Sequence, residues 1–220
     1  MAIAGEHHPA FEEYCECIFE LREDNLEVIQ ARVADRLNVS RPSVSEMIHR
    51  MEGEGLLTST GSKIRLTELG ETLGSRVVRR HRIAERFLTD VLGLSWSIAH
   101  HEACKWEHVI TAEVESAMNK LLGTPTTCPH GNPIPGSKYI EPNLTSLVNI
   151  EVGSEFTVNR IPEELEFAPG VLDFLEYSHI APGHRGVVTS SHADGSRTVD
   201  IDGNKVDIDA FASARILVTV

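Results

Sequence analysis

The first half of the chain has apolar residues at helical spacing, interrupted by short polar segments. A helix is predicted over residues 11–23, where apolar side chains recur every three or four positions among glutamates. Two further apolar stripes follow over residues 29–37 and 44–51, and only residues 38–40 separate them. Two short helices joined by so short a turn form a helix-turn-helix pattern.

The residues after the second of these helices predict a wing. Residues 58–59 and 64–66 can pair as a small hairpin around Gly61, and Thr67 can cap a further helix. The pattern is therefore typical of a winged helix-turn-helix. The second helix would present a polar face that either meets the major groove of DNA or is simply solvated. That face consists of Ser43, Ser45, Glu46, His49 and Arg50.

The remaining sequence divides into a helical zone, a loop and a β-rich segment. Helical spacing continues over residues 68–121 with a break at 93–95, and residues 123–143 are rich in proline and glycine. In the last segment, 144–220, apolar and polar residues alternate around Asp202-Gly203, which predicts a hairpin. The expected fold class is mainly α with a β C-terminal domain, and the last segment is long enough for a small barrel.

Charge and cysteine content restrict the class of protein. The 220 residues carry a formal charge of −13, which argues against general affinity for nucleic acid. Residues 28–65, in contrast, are locally basic, with six arginines and lysines against four acids. Four cysteines do not make a disulfide framework, and the start, MAIAGEHHPAFEEY, has no basic and apolar segments of a secretory signal. We therefore expect a reduced, cytoplasmic protein without a membrane span.

Histidine, cysteine and glutamate residues occur on the predicted helices at spacings that place them on common faces. They are His100, Cys104, Glu107 and His108 on one helix, His81 and Glu85 on the helix before it, and Glu13 and Glu16 on the first helix. Such ligands suit Fe(II), Mn(II), Co(II), Ni(II) or Zn(II) rather than Ca(II). If the three helices pack together, the sequence predicts a metal site. The alternative is a solvated helix face with one buried cysteine.

Other candidate ligands are predicted to be structural. Cys15 and Cys17 point in different directions on a helix, and Cys128 and His130 lie in the proline-rich loop. The segment DIDGNKVDID has its glycine too early for a calcium-binding loop, so its acids are expected on a solvated β-surface. The sequence has no phosphate-binding loop, dinucleotide fingerprint or nucleophile motif that would indicate an enzyme.

Four segments carry a family resemblance: ARVADRLNVSRPSVSEMIHRMEGEGLL, RRHRIAERFL, GLSWSIAHHEACKWEH and TPTTCPHGNPIPG. They resemble the diphtheria toxin repressor family of metal-dependent transcriptional repressors. The resemblance is close over residues 11–140 and loose in the β-rich tail. It implies a winged helix domain over 1–74, a helical metal-binding and dimerisation domain over 75–140, and an SH3-like domain over 144–220.

The resemblance also implies two metal sites in each subunit. One would take His81, Glu85 and His100, with Glu163 and Glu166 from the C-terminal domain. The other would take Cys104, Glu107, His108 and Glu13, with Glu16 as a further candidate. Cys104 is similar to iron-responsive members, whereas Glu13 and Glu16 are similar to manganese-responsive ones. We expect Fe(II) slightly ahead of Mn(II), with Co(II), Ni(II) or Zn(II) as substitutes in vitro.

The partners implied are double-stranded DNA and a second copy of the chain. The family binds palindromic operators of metal-homeostasis genes as one or two dimers and represses transcription. The predicted DNA-contacting residues are Gln30, Ser40, Arg41, Pro42, Ser43, Ser45, Glu46, Arg50 and Lys63. Glu46 replaces a glutamine that is common in the family. Its carboxylate can accept a hydrogen bond from cytosine but cannot donate one to a base.

Two other classes of protein are compatible with parts of the pattern. A metalloenzyme with a carboxylate and histidine site would show turnover and an open coordination position, but it leaves the wing unexplained. A winged helix regulator of a non-metal ligand would show no dependence on metal. The repressor accounts for both patterns, and we expect no enzymatic activity.

Overall fold

The computed structural model describes residues 9–220, and the first eight residues of the MAIAGEHHPAFEEY segment lie outside the described part. The helices are α1 (Pro9–Glu23), α2 (Gln30–Leu37), α3 (Arg41–Gly53), α4 (Glu68–Arg86), α5 (Trp96–Trp106), α6 (Ala112–Leu121), α7 (Glu163–Glu166), α8 (Val171–Tyr177) and α9 (Ala210–Ser213). The strands are β1 (Leu57–Thr60), β2 (Lys63–Leu66), β3 (Thr145–Ser146), β4 (Glu155–Arg160), β5 (Arg185–Ser191), β6 (Arg197–Ile201), β7 (Asn204–Ile208) and β8 (Leu217–Thr219).

The chain forms two compact units. The N-terminal unit comprises the residues up to His81 together with Lys105–Ile110, and the C-terminal unit comprises Arg82–Cys104 and Thr111–Val220. Two boundaries between the units therefore fall inside α4 and α5, and the third falls between Ile110 and Thr111 after α5. The division into three domains at residues 74 and 140 stays a prediction. No helix within residues 9–220 is long and apolar enough to cross a membrane.

The N-terminal unit contains the predicted helix-turn-helix. Between α2 and α3, Asn38 adopts a left-handed conformation with φ +50°, which asparagine tolerates better than most residues. Ser40 caps α3, because its Oγ accepts a hydrogen bond from the backbone N–H of Ser43 at 3.2 Å. Apolar residues of α1, α2 and α3 form one core, among them Tyr14, Ile18, Leu21, Val33, Val44, Ile48 and Met51.

The wing is also confirmed. Strands β1 and β2 pair antiparallel, with Ser59 opposite Ile64, and Gly61 supplies the positive φ (+63°) that the tight turn requires. Thr67 then caps α4, since its Oγ1 accepts from the backbone N–H of Gly70 at 3.2 Å. The sequence therefore predicted both this hairpin and the start of the following helix.

A glycine sets the close approach of α1 to α4. A Cβ atom added at Gly74 would lie 2.7 Å from the backbone oxygen of Cys15, which is closer than side chains pack in proteins. The two helix backbones can therefore touch only because Gly74 has no side chain. His81 lies two turns further along α4, on the same face of that helix. The glycine thus brings that face toward α1.

The C-terminal unit contains an antiparallel sheet of six strands in the order β3-β8-β4-β5-β6-β7. The predicted hairpin is confirmed: β6 and β7 pair with Val199 opposite Val206, and the turn residues Asp202 and Gly203 have φ of +53° and +82°. The core lies on one side of the sheet and includes Leu147, Phe156, Val158, Leu165, Leu175, Ile180, Val188 and Val218. Helices α7, α8 and α9 have four to seven residues, too few for a helical period to be seen in the sequence.

Candidate metal clusters and nucleic-acid interface

Six potential ligands converge within the N-terminal unit. We call them the N-terminal cluster: Glu12, Glu13 and Glu16 from α1, His81 from α4, and Glu107 and His108 directly after α5. Glu12, Glu16 and Glu107 are buried, although they are carboxylates. Charged side chains are buried only where other groups compensate the loss of water. Burial of these carboxylates therefore requires positive charge close to them.

Two histidine rings and the guanidinium of Arg76 lie next to these carboxylates, and Arg76 Nη2 lies 3.5 Å from Glu12 Oε1. His81 Nδ1 lies 2.6 Å from Glu107 Oε2. His108 Nδ1 lies 2.8 Å from Glu12 Oε2, and His108 Nε2 lies 3.0 Å from Glu13 Oε1 and 3.2 Å from Glu107 Oε1. Both ring nitrogens of His108 therefore face carboxylates, which is possible for hydrogen bonding only when the ring carries two protons.

The protonation equilibria agree with this arrangement. Hydrogen bonds to Glu107, Glu12 and Glu13 raise the pKa of His108 to about 12. Burial alone would raise the pKa of Glu107, but hydrogen bonds with His108 and His81 outweigh it and lower the pKa. His108 is thus an imidazolium at neutral pH and Glu107 a carboxylate.

The donor chemistry of the N-terminal cluster fits a divalent cation. One ligand atom each from Glu16, His81 and Glu107 lie within 4.8 Å of one another, and the same holds for Glu13, Glu107 and His108. Four carboxylates of the cluster face two imidazoles, and Arg76 is a cation beside Glu12. Carboxylate oxygen and imidazole nitrogen are ligands of Mn(II), Fe(II) and Zn(II).

A second group of ligands is buried inside the C-terminal unit. We call it the C-terminal cluster: Glu85 from α4, His100 from α5, Cys128 and His130 from the proline-rich loop, and Glu166 from α7. Ligand atoms of Glu85, Cys128 and His130 lie within 4.8 Å of one another. His130 Nδ1 lies 2.8 Å from Glu166 Oε2, and His100 Nδ1 lies 3.0 Å from Glu85 Oε1 and 3.2 Å from Glu166 Oε2.

The carboxylates of Glu85 and Glu166 keep the imidazoles of the C-terminal cluster protonated. Burial lowers the pKa of His130, but the charges of Glu166 and Glu85 more than reverse that effect and raise it well above its usual value. The pKa of His100 is also raised, because hydrogen bonds with Cys104, Glu166 and Glu85 outweigh burial. Burial raises the pKa of the Cys128 thiol, so without a cation it stays protonated.

The C-terminal cluster is held by its surroundings. Asn132 donates a hydrogen bond from Nδ2 to Glu166 Oε1 at 2.7 Å, and the ring of Trp96 packs edge-on against His130 with centroids 4.7 Å apart. These contacts fix the carboxylate and the imidazole before any ion binds. Carboxylate, imidazole and thiol together fit Fe(II), Zn(II) or Mn(II).

Several of the predicted ligands contact one another within each unit. His81 lies beside Glu107 in the N-terminal unit, whereas Glu85 and His100 lie together in the C-terminal unit. Glu163 is buried but pairs with Arg82, whose Nη2 lies 3.0 Å from Glu163 Oε1. Cys104 belongs to the C-terminal unit, where its Sγ lies 4.0 Å from His100 Nε2. The predicted composition of each site therefore stays a prediction.

Three residues of the two clusters are not among the ligands predicted from the sequence. Glu12 shares a buried face of α1 with Glu16 and Glu20, and the four-residue interval between these acids is visible in the sequence. Cys128 and His130 were interpreted as structural, because a loop of 21 residues gives no spacing rule that relates it to a helix. Only the folded chain places their side chains beside Glu85.

The outer face of α3 and the wing form the candidate DNA interface. Val44, Ile48 and Met51 are buried, which leaves the opposite side of α3 in solvent. Exposed there and just before it are Ser40, Arg41, Pro42, Ser43, Ser45, Glu46 and Arg50. The guanidinium of Arg50 also lies over the ring of Phe11 at 5.5 Å. Lys63 is exposed on the wing and lies 3.8 Å from Glu27, and Gln30 is half-buried at the start of α2.

Two known protein families match consecutive parts of the chain between residues 8 and 136. Residues 8–63 match the family described as "Iron dependent repressor, N-terminal DNA binding domain". Residues 67–136 match "Iron dependent repressor, metal binding and dimerisation domain". The iron-dependent repressor IdeR of Mycobacterium tuberculosis is 38% identical over 206 residues, which cover 88% of this chain and 89% of that protein. The diphtheria toxin repressor of Corynebacterium diphtheriae is 44% identical over 126 residues, which cover 57% of this chain and 56% of that protein.

Solved structures extend the similarity over the β domain. A manganese-dependent transcriptional repressor in complex with manganese superposes with a TM-score of 0.85 at 29% identity, and covers 95% of this chain and 99% of that one. The T. acidophilum IdeR structure superposes with a TM-score of 0.76 at 29% identity, over 95% of this chain and 97% of that one. The chain therefore belongs to the iron-dependent repressor family of metal-dependent transcriptional regulators.

Proposed function

We propose that this protein represses transcription by binding palindromic operator DNA as a homodimer when a divalent metal ion occupies its clusters. One observation carries the proposal: α1 contributes both to the core of the helix-turn-helix and to the N-terminal cluster. Tyr14, Ile18 and Leu21 pack in that core, while Glu12 and Glu16 carry the cluster on the same helix. A change at the cluster therefore acts on the element that supports the recognition helix.

The cluster residues explain how α1 could respond to a cation. Without one, Glu12 and Glu13 of α1 face the protonated ring of His108, and Glu12 also faces Arg76. A bound divalent ion would supply that positive charge instead of the protons. Glu12, Glu13 and Glu16 on α1 and His81 on α4 would then hold the two helices at a fixed distance. Because coupling is reciprocal, DNA binding would raise metal affinity by the same factor.

The exposed side of α3 is the proposed reader of bases. Arg41 and Arg50 can approach phosphates or guanine, and Ser43, Ser45 and Glu46 can contact base edges in the major groove. Two copies of α3 in a dimer would enter successive major grooves about 34 Å apart, which accounts for a palindromic operator. The wing, with Lys63 at its start, would contact the adjacent backbone.

The C-terminal cluster is the proposed second metal site of each subunit. Its ligands would be Glu85, His100, Cys128, His130 and Glu166. All of these ligands are buried, whereas Glu13 of the N-terminal cluster is exposed, so we assign the C-terminal cluster a slowly exchanging, stabilising ion. The mixed ligands of the two clusters suit Fe(II) first and Mn(II) second, and Co(II), Ni(II) or Zn(II) would bind in their place in vitro. A DNA partner implies that the protein works in the cytoplasm.

The test is selection of DNA from a random duplex pool under anaerobic conditions with Fe(II), Mn(II) or chelator, followed by sequencing of the retained fraction. Enrichment of a palindrome with metal, but not with chelator, is the expected result, and the better ion is the physiological candidate. An Arg50→Ala, Glu46→Ala double variant provides the matched control, because both side chains are exposed on α3. If no sequence is enriched with any metal, DNA regulation is not the function and a metalloenzyme becomes the better hypothesis.

A further inference from the structure

Three side chains from separate turns of the C-terminal sheet domain converge on its surface, and the proposed function uses none of them. His179 lies in the turn after α8, His184 immediately precedes β5, and Asp202 lies in the turn between β6 and β7. One potential ligand atom from each lies within 4.8 Å of the other two. We call these three residues the turn cluster.

The contacts within the turn cluster are polar. His184 Nδ1 lies 3.3 Å from Asp202 Oδ2. The rings of His179 and His184 have centroids 6.0 Å apart and are tilted by 59°. Rings tilted at this separation form an ordinary aromatic contact, which by itself does not indicate a ligand. Convergence of two imidazoles and a carboxylate is instead the arrangement that transition-metal sites use.

Each turn is held in place by contacts that do not involve the side chains of the turn cluster. Ile180, which follows His179, is fully buried in the sheet domain's core. The backbone oxygen of His184 accepts a hydrogen bond from the N–H of Val158 at 2.9 Å, which ties this turn to β4. Asp202 lies between two strands that are paired up to the turn. Positions fixed in advance reduce the entropy lost when a ligand binds.

We propose that the turn cluster is a third cation site, distinct from the two clusters of the repressor, and that it binds Zn(II) or a similar late first-row ion. Two imidazoles and one carboxylate supply three protein ligands and leave room for water as a fourth. Nitrogen ligands favour Zn(II) and Ni(II) over Mn(II), so this site selects ions that differ from a manganese signal.

The charge of the surrounding domain favours cation binding. Residues 141–220 contain five lysines and arginines against thirteen aspartates and glutamates. A net charge of −8 on this segment raises the local concentration of cations. The exposed position of the turn cluster allows an ion to enter without opening the sheet domain.

The experiment counts Zn(II) bound to the full chain by equilibrium dialysis, with the wild type and the His179→Asn and Asp202→Asn variants. Both positions have positive φ, +58° and +53°, and asparagine tolerates that conformation, so the variants should fold. His192→Asn is the matched control, because His192 is exposed in the β5–β6 turn at the other end of these strands. Circular dichroism and Tm in chelator check folding.

We expect the wild type and His192→Asn to bind one more equivalent of Zn(II) than His179→Asn and Asp202→Asn. Affinity for the remaining ions and metal-dependent DNA binding should not change, so this result is separable from the repressor proposal. Mn(II) dialysis should show no difference between any of the four proteins. Equal Zn(II) stoichiometry in wild type and His179→Asn would overturn the proposal and reduce the contact to an ordinary surface ion pair.

Discussion

The two metal clusters differ in exposure, ligand chemistry and the sequence distance that they bridge. In the N-terminal cluster, Glu13 has a side chain that is 48% exposed, and every ligand is a carboxylate or an imidazole on or next to a helix. In the C-terminal cluster, Glu85 and His130 are fully buried, and a thiol from an irregular loop is added. A cluster with a solvent-exposed ligand such as Glu13 can exchange its ion, whereas a fully buried cluster requires local opening. We therefore assign metal sensing to the N-terminal cluster and stabilisation of the fold to the C-terminal cluster.

The largest effect is expected from Glu107→Gln, which keeps the shape of the side chain but removes the charge that both His81 and His108 contact. Metal-dependent enhancement of DNA affinity should fall by the whole coupling factor, typically about 5–150-fold. Fluorescence anisotropy with labelled operator in Mn(II) and in chelator measures it. Glu164→Gln is the control, since Glu164 pairs with Arg215 and is not a ligand of either cluster. Unchanged enhancement in the Glu107 variant would remove sensing from the N-terminal cluster.

The second effect concerns stability and the C-terminal cluster. In the wild type, an ion at a hundredfold excess over its Kd should stabilise the chain by about 2.7 kcal/mol. Cys128→Ser should lose much of this metal-dependent increment, because a hydroxyl is a poor substitute for a thiolate. Thermal unfolding with and without metal gives the increment. Cys17→Ser is the control, since Cys17 is also buried but belongs to neither cluster. Equal increments in both variants would exclude Cys128 as a ligand.

A smaller effect is expected from a substitution at Gly74, which should weaken metal binding at one cluster and leave the other unchanged. Gly74→Ala places a methyl group against the Cys15 backbone and should destabilise the chain by about 1–3 kcal/mol. It should also weaken binding at the N-terminal cluster, because α1 must move away from α4, and spare the C-terminal cluster. Urea unfolding and metal titration measure the two effects. Gly53→Ala, whose added Cβ meets no atom within 4 Å, should change neither by a comparable amount. Equal weakening of both clusters would contradict the assignment.

The smallest effect is the dependence of metal affinity on pH. The pKa of His108 is raised to about 12, so its ring holds two protons at neutral pH and must release one before it can bind an ion. Affinity should therefore rise with pH, by about tenfold per pH unit for each proton released. Titration calorimetry in two buffers of different ionisation enthalpy counts the protons. The His130→Gln variant restricts the measurement to the N-terminal cluster. Metal affinity that is independent of pH would show that His108 is not a ligand.

The sequence predicted local structure well and long-range contacts poorly. Helical periodicity and capping residues determine α1, α2, α3 and the wing, since each depends on neighbours within about ten residues. The helical faces that carry Glu13, Glu16, His81, His100, Glu107 and His108 followed from the same spacing rule.

The pairing of those faces could not be predicted in the same way. His81 and Glu85 are one turn apart on α4, and in the folded chain His81 contacts Glu107 whereas Glu85 contacts His100, neither of which follows from their spacing on α4. Cys128 and His130 reach Glu85 from a loop that has no periodicity. Tertiary packing decides which partner each side chain meets, and the spacing of residues along one helix does not identify that partner.

The central claim is that the N-terminal cluster and the DNA-reading face of α3 are coupled. The most direct test is to measure Mn(II) or Fe(II) affinity of the wild type, by anaerobic titration, with and without the selected operator. The account predicts that the operator raises metal affinity by the same factor by which metal raises operator affinity, and that Glu107→Gln abolishes both changes. Metal affinity that is the same with and without the operator would contradict the account.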